Sequence, residues 1–521
     1  MMNRMLYRVF TVLISVLCLA IAGPIVTLTH AEQLPNVVFV LIDDMGMGDT
    51  RLYNPDAKIP TPNMDRIARA GLILYDAHST AALCAPTRYG VMTGNYPFRG
   101  RKDLGVWPAF DPPMVLDDQR TIGNIMQDAG YHSAMIGKLN NGGYFYSKSG
   151  SGYTTNTQDI DFSRAFDRGP TTGLGFDYSY NLLVGIQAQP YAYFENDRLA
   201  GNSVDLQVRP AMTGLSSTRK GLRMPDYDSR EAGPQLANAA LRFIDGHIQK
   251  NQQQGSETPF FLYLATQAAH GPYTPPDELN NVQVRGVTGV SDRADMIYEA
   301  DVVVGQLLDK LEQEDLLSNT LFIVTSDNGV PKVAVDGDSQ EEANGHINAQ
   351  GMVHGIPLRG RKSDIYEGGH RVPFVARWGD GTGAGSTIMP GSRSDRMICL
   401  QDLAATLLDL TDQPMPVDQY RDSYSFLPLL QGQDKPVRSH LLMQSGSTSR
   451  GVFNRAIRTD GWKLVISSDA TDVGEATELY NLRDDLSETN NLIDDPAQKA
   501  RVAQLGRLLF EQLKSERTNE K

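Results

Sequence analysis

The run from Asn36 to Ile42 (NVVFVLI) is apolar at every position after its asparagine, with valine and isoleucine at four of the seven places. A strand covered on one face alternates apolar with polar residues, whereas this run reads as a strand buried on both faces, the pattern of a parallel sheet. Two aspartates follow it at once. Thr61 offers an N-cap, with Pro62 at the first helical position and Gly71 beyond the end, so a short helix is predicted before LILYDAHS returns to a strand pattern. The alternation continues through the helix TIGNIMQDAG, the strands YHSAMIG and FFLYLAT, an amphipathic helix from Asp292 to Leu317, and the buried strand TLFIVTSDNG. It predicts an α/β fold: a large, mostly parallel sheet with helices on both faces, whose ligands bind at the carboxyl ends of the strands. After QGQDKPVRSH the chain changes to short strands, NRAIRT, WKLVIS and ATELYNL, closed by a helix from Pro496 to Lys514. That change predicts a small C-terminal α+β subdomain with an antiparallel sheet. The expected division is 32–435 for the larger domain and 436–521 for the smaller.

The first 31 residues stand outside this alternation. Arg4 and Arg8 precede an apolar run from Val9 to Ala22, and Thr29-His30-Ala31 puts a small residue before Glu32, the pattern of a secretory signal peptide. Export to the periplasm or the extracellular space is therefore expected. The apolar character continues with interruptions to Leu28, which leaves an uncleaved anchor as the alternative. No later segment is apolar for long enough to cross a bilayer, so no stable membrane association is expected after cleavage. The formal charge of −14 argues against a nucleic-acid partner and requires any anion site to be a local concentration of cations. With Cys18 lost in the signal, only Cys84 and Cys399 remain, enough for one bridge at most. Cys399 lies in MICLQDLAATLLDL, where Leu400, Leu403, Ala404, Leu407 and Leu408 have helical spacing, and a core thiol is expected there.

Chemistry gathers at the predicted strand ends. Asp43 and Asp44 close the first strand, and Asp327 and Asn328 close TLFIVTS, so a parallel sheet would bring four oxygen donors together. Carboxylate and amide oxygens suit calcium or magnesium, and Asn328 in place of a histidine disfavours zinc. Taken singly, Asp-Asp or Asp-Asn-Gly is a turn or a cap.

The stretch 84–94 reads CAPTRYGVMTG. Its C-x-P-x-R followed by Thr-Gly resembles the signature of the type I, formylglycine-dependent sulfatases of the alkaline-phosphatase-like superfamily. GYHSAMIGK at 130–138 resembles that family's second signature, and LRGRKSDIYEGGHRVP at 358–373 a third. The resemblance implies a sulfuric ester hydrolase in which a formylglycine-generating maturation enzyme oxidises Cys84 to formylglycine (3-oxoalanine), whose hydrate supplies the attacking oxygen. It further implies one calcium ion held by Asp43, Asp44, Asp327 and Asn328 with residue 84, Arg88 on the hydrated aldehyde, and Lys138 and Lys362 on the sulfate. His270, in TQAAHGPYTPP, takes by the same resemblance the place of the acid that protonates the leaving oxygen. Ammonium groups and a divalent ion offset the charge of sulfate oxygens, and the planar fork of Arg88 donates two directed bonds.

The expected substrate is a sulfated carbohydrate or an aryl sulfate. The segment 140–198 carries twelve tyrosine and phenylalanine residues, among them Tyr144, Tyr146, Tyr153 and Tyr193, able either to stack on sugar faces or to fill the core. One departure from the family stands out: its second signature continues to a histidine, where this chain has Leu139-Asn140. An amide cannot act as a base, and His346 or His354 is the expected replacement if either folds back. Two other functions keep the same pocket: a phosphate or phosphonate ester hydrolase of the superfamily, and an inactive protein that binds sulfated glycans.

Overall fold

The computed structural model describes residues 33–101, 105–150, 152–201, 206–213, 217–331, 352–445, 454–459, 461–467 and 475–519. The predicted signal and His346 lie outside them. Ten strands form the main sheet: β1 (Asn36–Ile42), β2 (Leu72–Leu74), β3 (His132–Lys138), β4 (Tyr178–Leu182), β5 (Phe194–Glu195), β6 (Arg198–Leu199), β7 (Phe260–Ala265), β8 (Thr320–Ser326), β9 (Phe374–Trp378) and β10 (Ser392–Ser394). Their order across the sheet is β10-β2-β9-β8-β1-β7-β3-β4-β5-β6. The five central strands, β8-β1-β7-β3-β4, run parallel. The β8–β9, β9–β2, β4–β5 and β5–β6 pairs that flank them are antiparallel.

The unbroken apolar reading of β1 has the cause expected of it, since every one of its residues is buried between β7 and β8 and beneath helices. The longer helices among the described residues are α1 (Pro62–Arg69), α2 (Cys84–Thr93), α3 (Ile122–Asp128), α4 (Ala232–Gln254), α5 (Asp292–Gln313), α6 (Leu403–Leu410) and α7 (Lys499–Lys514). Val38, Val40, Ile136, Leu262 and Val324 belong to one core cluster with Ile67 of α1, Leu236 and Ile244 of α4, and Ile297 and Val304 of α5. On the alternate side of the strands Phe39 stacks on Tyr263 at 5.6 Å. Among the described residues, no helix is long and apolar enough to cross a membrane.

The C-terminal pattern change corresponds to a second, antiparallel sheet of β11 (His440–Gln444), β12 (Asn454–Thr459), β13 (Trp462–Ser467) and β14 (Ala476–Asn481). Leu505 and Leu509 of α7 complete its core with Leu442, Ile457 and Val465.

Local differences from the sequence reading have tertiary causes. Thr61 makes no side-chain cap for α1; its hydroxyl bonds Thr50 Oγ1 at 2.9 Å. Asp301 of α5 does the capping instead, accepting from Asn63 N at 3.1 Å and Met64 N at 2.8 Å. LILYDAHS is divided between β2 and a two-residue strand, Ala77–His78, that pairs with Ile398–Cys399. Cys399 thus precedes its helix, yet it is buried and free as expected.

Candidate active site

Register brings the polar strand ends to one level. Ile42 pairs with Ser326, Leu41 with Ala265, and Ala265 with Gly137, so the residues that follow emerge side by side. Gly137 is required by this arrangement, because a Cβ there would stand 1.8 Å from Ala265 O, and its φ is +105°. The turns after β1 and β7 are stitched together: Asp43 N donates to Ala268 O at 2.8 Å and Ala269 N to Asp43 O at 2.5 Å. Asp44 adopts a left-handed φ of 59°, and its N–H donates to Asp327 Oδ1 at 3.2 Å.

Three carboxylates and three cations meet there, nearly all fully buried. Lys138 Nζ lies 2.5 Å from Asp43 Oδ2, and Lys362 Nζ 2.5 Å from Asp44 Oδ1. Arg88 Nη2 is 2.7 Å from Asp327 Oδ2 and 3.6 Å from Asp43 Oδ2, while its Nη1 donates to Lys138 O at 3.2 Å. Burial opposes the charge on Asp43, but Lys138, His270 and Arg88 outweigh it and hold the carboxyl well below its usual range. Burial likewise opposes ionisation of Asp44 and is overcome by Lys362 and His270. Asp327 goes the other way: burial and the adjacent Asp43 push its carboxyl up to about 6 in spite of Arg88. Burial works against the cations too, and is outweighed for Lys362 by Asp44, with Cys84 contributing, and for Arg88 by Asp327.

The donor set fits a hard divalent ion. Asp43 Oδ1 and Asn328 Oδ1 are buried and have no hydrogen-bond partner, a costly arrangement for two oxygens unless a cation takes their lone pairs. Asn328 Nδ2 donates to Asp44 Oδ1 at 2.7 Å, which fixes the amide so that its oxygen is the free end. The four groups are oxygen donors of the kind calcium and magnesium take. Asp43, Asp44 and His270 also form a close trio of potential ligands. A second trio, Asp76, His78 and Glu367, is already engaged: Arg371 and Arg458 sit 2.7 and 2.6 Å from Asp76, and Lys463 3.3 Å from Glu367.

Cys84 is the first residue of α2, 1% exposed and free. Asn140 Nδ2 reaches its Sγ at 3.5 Å. The strand-end turn carrying Asn140 therefore meets the thiol, and the Lys362 segment is tied to the loop that leads into it, where Ser363 N donates to Ala82 O at 2.7 Å. His270 Nδ1 bonds Gly271 O at 2.7 Å; a carbonyl only accepts, so this nitrogen carries the proton and Nε2 faces Asp44 Oδ2 at 3.8 Å. Burial and Lys362 depress the His270 pKa against the pull of Asp44.

All nine residues singled out in the sequence converge. His354 does not join them: its Nε2 bonds Asp395 at 2.7 Å and its ring lies 4.4 Å from Tyr75. In the aromatic segment Phe145, Tyr180, Tyr191, Tyr193 and Phe194 are core residues, whereas Tyr144 and Tyr146 lie 4.9 and 5.1 Å from the ring of the exposed Tyr153. The sequence reading missed Arg293, fully buried at the start of α5. It donates to Asp44 O at 3.0 Å and forms two bonds with Asp49. A lone arginine in an amphipathic helix carries no signal for this, because the contact depends on how α5 packs.

Residues 35–413 match the Sulfatase family, and residues 361–516 match the C-terminal region of the N-sulphoglucosamine sulphohydrolases. The chain is 27% identical to an N-acetylgalactosamine-6-O-sulfatase of Bacteroides thetaiotaomicron over 91% of this chain and 90% of that one. It is 28% identical to human arylsulfatase A over 82% and 74%. A structure solved in work on the metabolism of multiple glycosaminoglycans by B. thetaiotaomicron superposes with a TM-score of 0.74 at 26% identity, covering 92% of this chain and 99% of the other.

Proposed function

The chain belongs to the sulfatase family, enzymes that hydrolyse sulfuric esters, and from that premise we propose that its substrate is a sulfated carbohydrate, cleaved with residue 84 as nucleophile. The observation that carries the proposal is the buried cluster itself: three cations and two unpartnered oxygens, Asp43 Oδ1 and Asn328 Oδ1, grouped around one free cysteine. The carbohydrate class is supported by the B. thetaiotaomicron relative, whose name specifies N-acetylgalactosamine 6-O-sulfate and which matches almost the full chain.

Asp43, Asp44, Asp327 and Asn328 would hold one calcium ion, which supplies positive charge against the sulfate oxygens. Oxidised to formylglycine by a maturation enzyme, residue 84 would present a hydrated aldehyde hydroxyl for in-line attack on sulfur. Arg88, oriented by Asp327, steadies the attacking group, and Asn140 adds an amide donor on the same atom. Lys138 and Lys362 bind the sulfate oxygens and offset the charge that builds on them. His270 holds its Nδ1 proton on Gly271 O; in the imidazolium form, which Asp44 favours, it also carries a proton on Nε2 and gives that proton to the leaving alcohol. The base that resets residue 84 is not Asn140, whose side chain has no basic atom.

The apolar N-terminal run supports export to the periplasm or beyond, with 32–435 as catalytic domain and 436–521 as the smaller subdomain. Mass spectrometry of the peptide spanning residue 84, from a host with the maturation enzyme, and a sulfate-release screen on sulfated sugars test the proposal together. Conversion with sulfate release is expected. Unconverted Cys84 removes the nucleophile; faster release of phosphate from phosphate esters than of sulfate transfers the site to that chemistry; and sugar binding without release makes it a lectin-like pocket.

A further inference from the structure

α5 carries a buried acid, Glu299, 1% exposed, that the reaction above does not use. Its Oε1 accepts from Gln267 Nε2 at 3.1 Å. Glu299 Oε2 and Gln267 Oε1 are both buried and have no partner. The pair lies in a small cavity lined by Gly233, Leu236 and Ala237 of α4, by Leu264 and Thr266 at the end of β7, and by Val303 of α5; no charged group other than Glu299 lines it. A Cβ on Gly233 would stand 1.4 Å from Glu299 Oε1, so the absence of a side chain there gives the carboxyl its room.

Gln267 belongs to the turn that builds the site. Its carbonyl accepts from His270 N at 2.9 Å, and the next two residues exchange backbone hydrogen bonds with Asp43. A carboxylate at Glu299 would face a single amide donor and no cation, a costly way to bury a charge, and burial pushes this carboxyl up to about 8. A neutral carboxyl removes both orphans: Oε2–H is a donor, and Gln267 Oε1 is the waiting acceptor on the same amide.

We infer that Glu299 is a positioning residue that stays protonated through neutral pH and closes a two-bond acid–amide pair with Gln267, seating the Thr266–His270 turn against the end of β1. Loss of the proton to solvent breaks one of the two bonds and leaves a charge in an apolar cavity, so the turn loosens on the alkaline side. The kinetic consequence rests on the reading of His270 and Asp43 as site residues; the structural one does not.

Glu299→Gln keeps two hydrogen bonds as an amide–amide pair and cannot ionise, whereas Glu299→Leu fills the space and bonds nothing. Hydrogen exchange of peptides spanning 266–270, corrected for the intrinsic rate, is measured at pH 7 and pH 9 beside the pH profile of kcat on 4-nitrophenyl sulfate. In the wild type the corrected exchange is expected to rise roughly fivefold or more between the two pH values while kcat falls. Glu299→Gln stays flat in both, and Glu299→Leu exchanges fast throughout. Equal alkaline rises in the wild type and Glu299→Gln overturn the inference, as does a Gln variant as fast as the Leu variant at pH 7. Should no ester be cleaved at all, the catalytic reading falls and exchange still decides Glu299. Should the Leu variant not fold, the comparison of wild type with Glu299→Gln remains decisive.

Discussion

Lys138 Nζ lies 2.5 Å from Asp43 Oδ2, joining the last residue of β3 to the first residue after β1 although 95 positions separate them. Both side chains are fully buried. Lys138→Met leaves Asp43 short of its main cation, and breaking a buried pair from one side costs about 3–5 kcal/mol. The expected result is a lower urea midpoint in chelator that added calcium restores, together with a fall of about 10²-fold or more in kcat/KM for sulfate esters. An unchanged midpoint in chelator would refute the pair's role.

Asn328→Ala removes an oxygen donor and the amide that holds Asp44. Calcium affinity measured by titration calorimetry is expected to weaken by roughly tenfold to a hundredfold. Asn328→Asp adds charge at the same place and should bind the ion at least as tightly as the wild type.

His270→Ala removes the proposed acid, so its effect must scale with the leaving group. Turnover of a sulfated sugar, whose alkoxide leaves poorly, should fall about 10²- to 10⁴-fold. Turnover of 4-nitrophenyl sulfate, whose phenolate needs little help, should fall much less. Equal losses on both would show that His270 only shapes the site.

His247 of α4 is buried beside His132, with 3.3 Å between their Nδ1 atoms, and burial together with His132 brings its pKa down to about 4. The unfolded chain therefore binds more protons between about pH 6.5 and 4, and stability falls as pH is lowered through that window. His247→Phe, packed against Phe260, should recover roughly 1–3 kcal/mol of the acid loss in denaturant titrations at pH 4.5, with little change at pH 8.

Much of the site was legible because its residues sit at strand ends and strand ends are written in local pattern. NVVFVLI followed by Asp43-Asp44, and TLFIVTS followed by Asp327-Asn328, announce themselves by apolar runs that stop at carboxylates. CAPTR announces itself by spacing. Lys138 ends its strand in the same manner, and His270 stands just beyond β7.

What lies outside local pattern is pairing. The strand order puts β1 between β7 and β8, and that order alone brings Asp43 beside Asp327 and the Ala268–Ala269 turn. The cap of α1 comes from Asp301, 238 positions from the Asn63 amide it accepts, while the nearby Thr61 is engaged elsewhere. Arg293 and Glu299 read as ordinary members of an amphipathic helix until α5 packs on the sheet and aims them at Asp44 and Gln267. The sequence by itself determined the main elements and the residue types at their ends, since apolar periodicity is a property of neighbouring residues, and the resemblance of its motifs pointed to the family. Only the tertiary structure decided which charge meets which and which oxygens are left unpaired, because those depend on register and burial, where a side chain's partner is set by the fold and its cost by the loss of water.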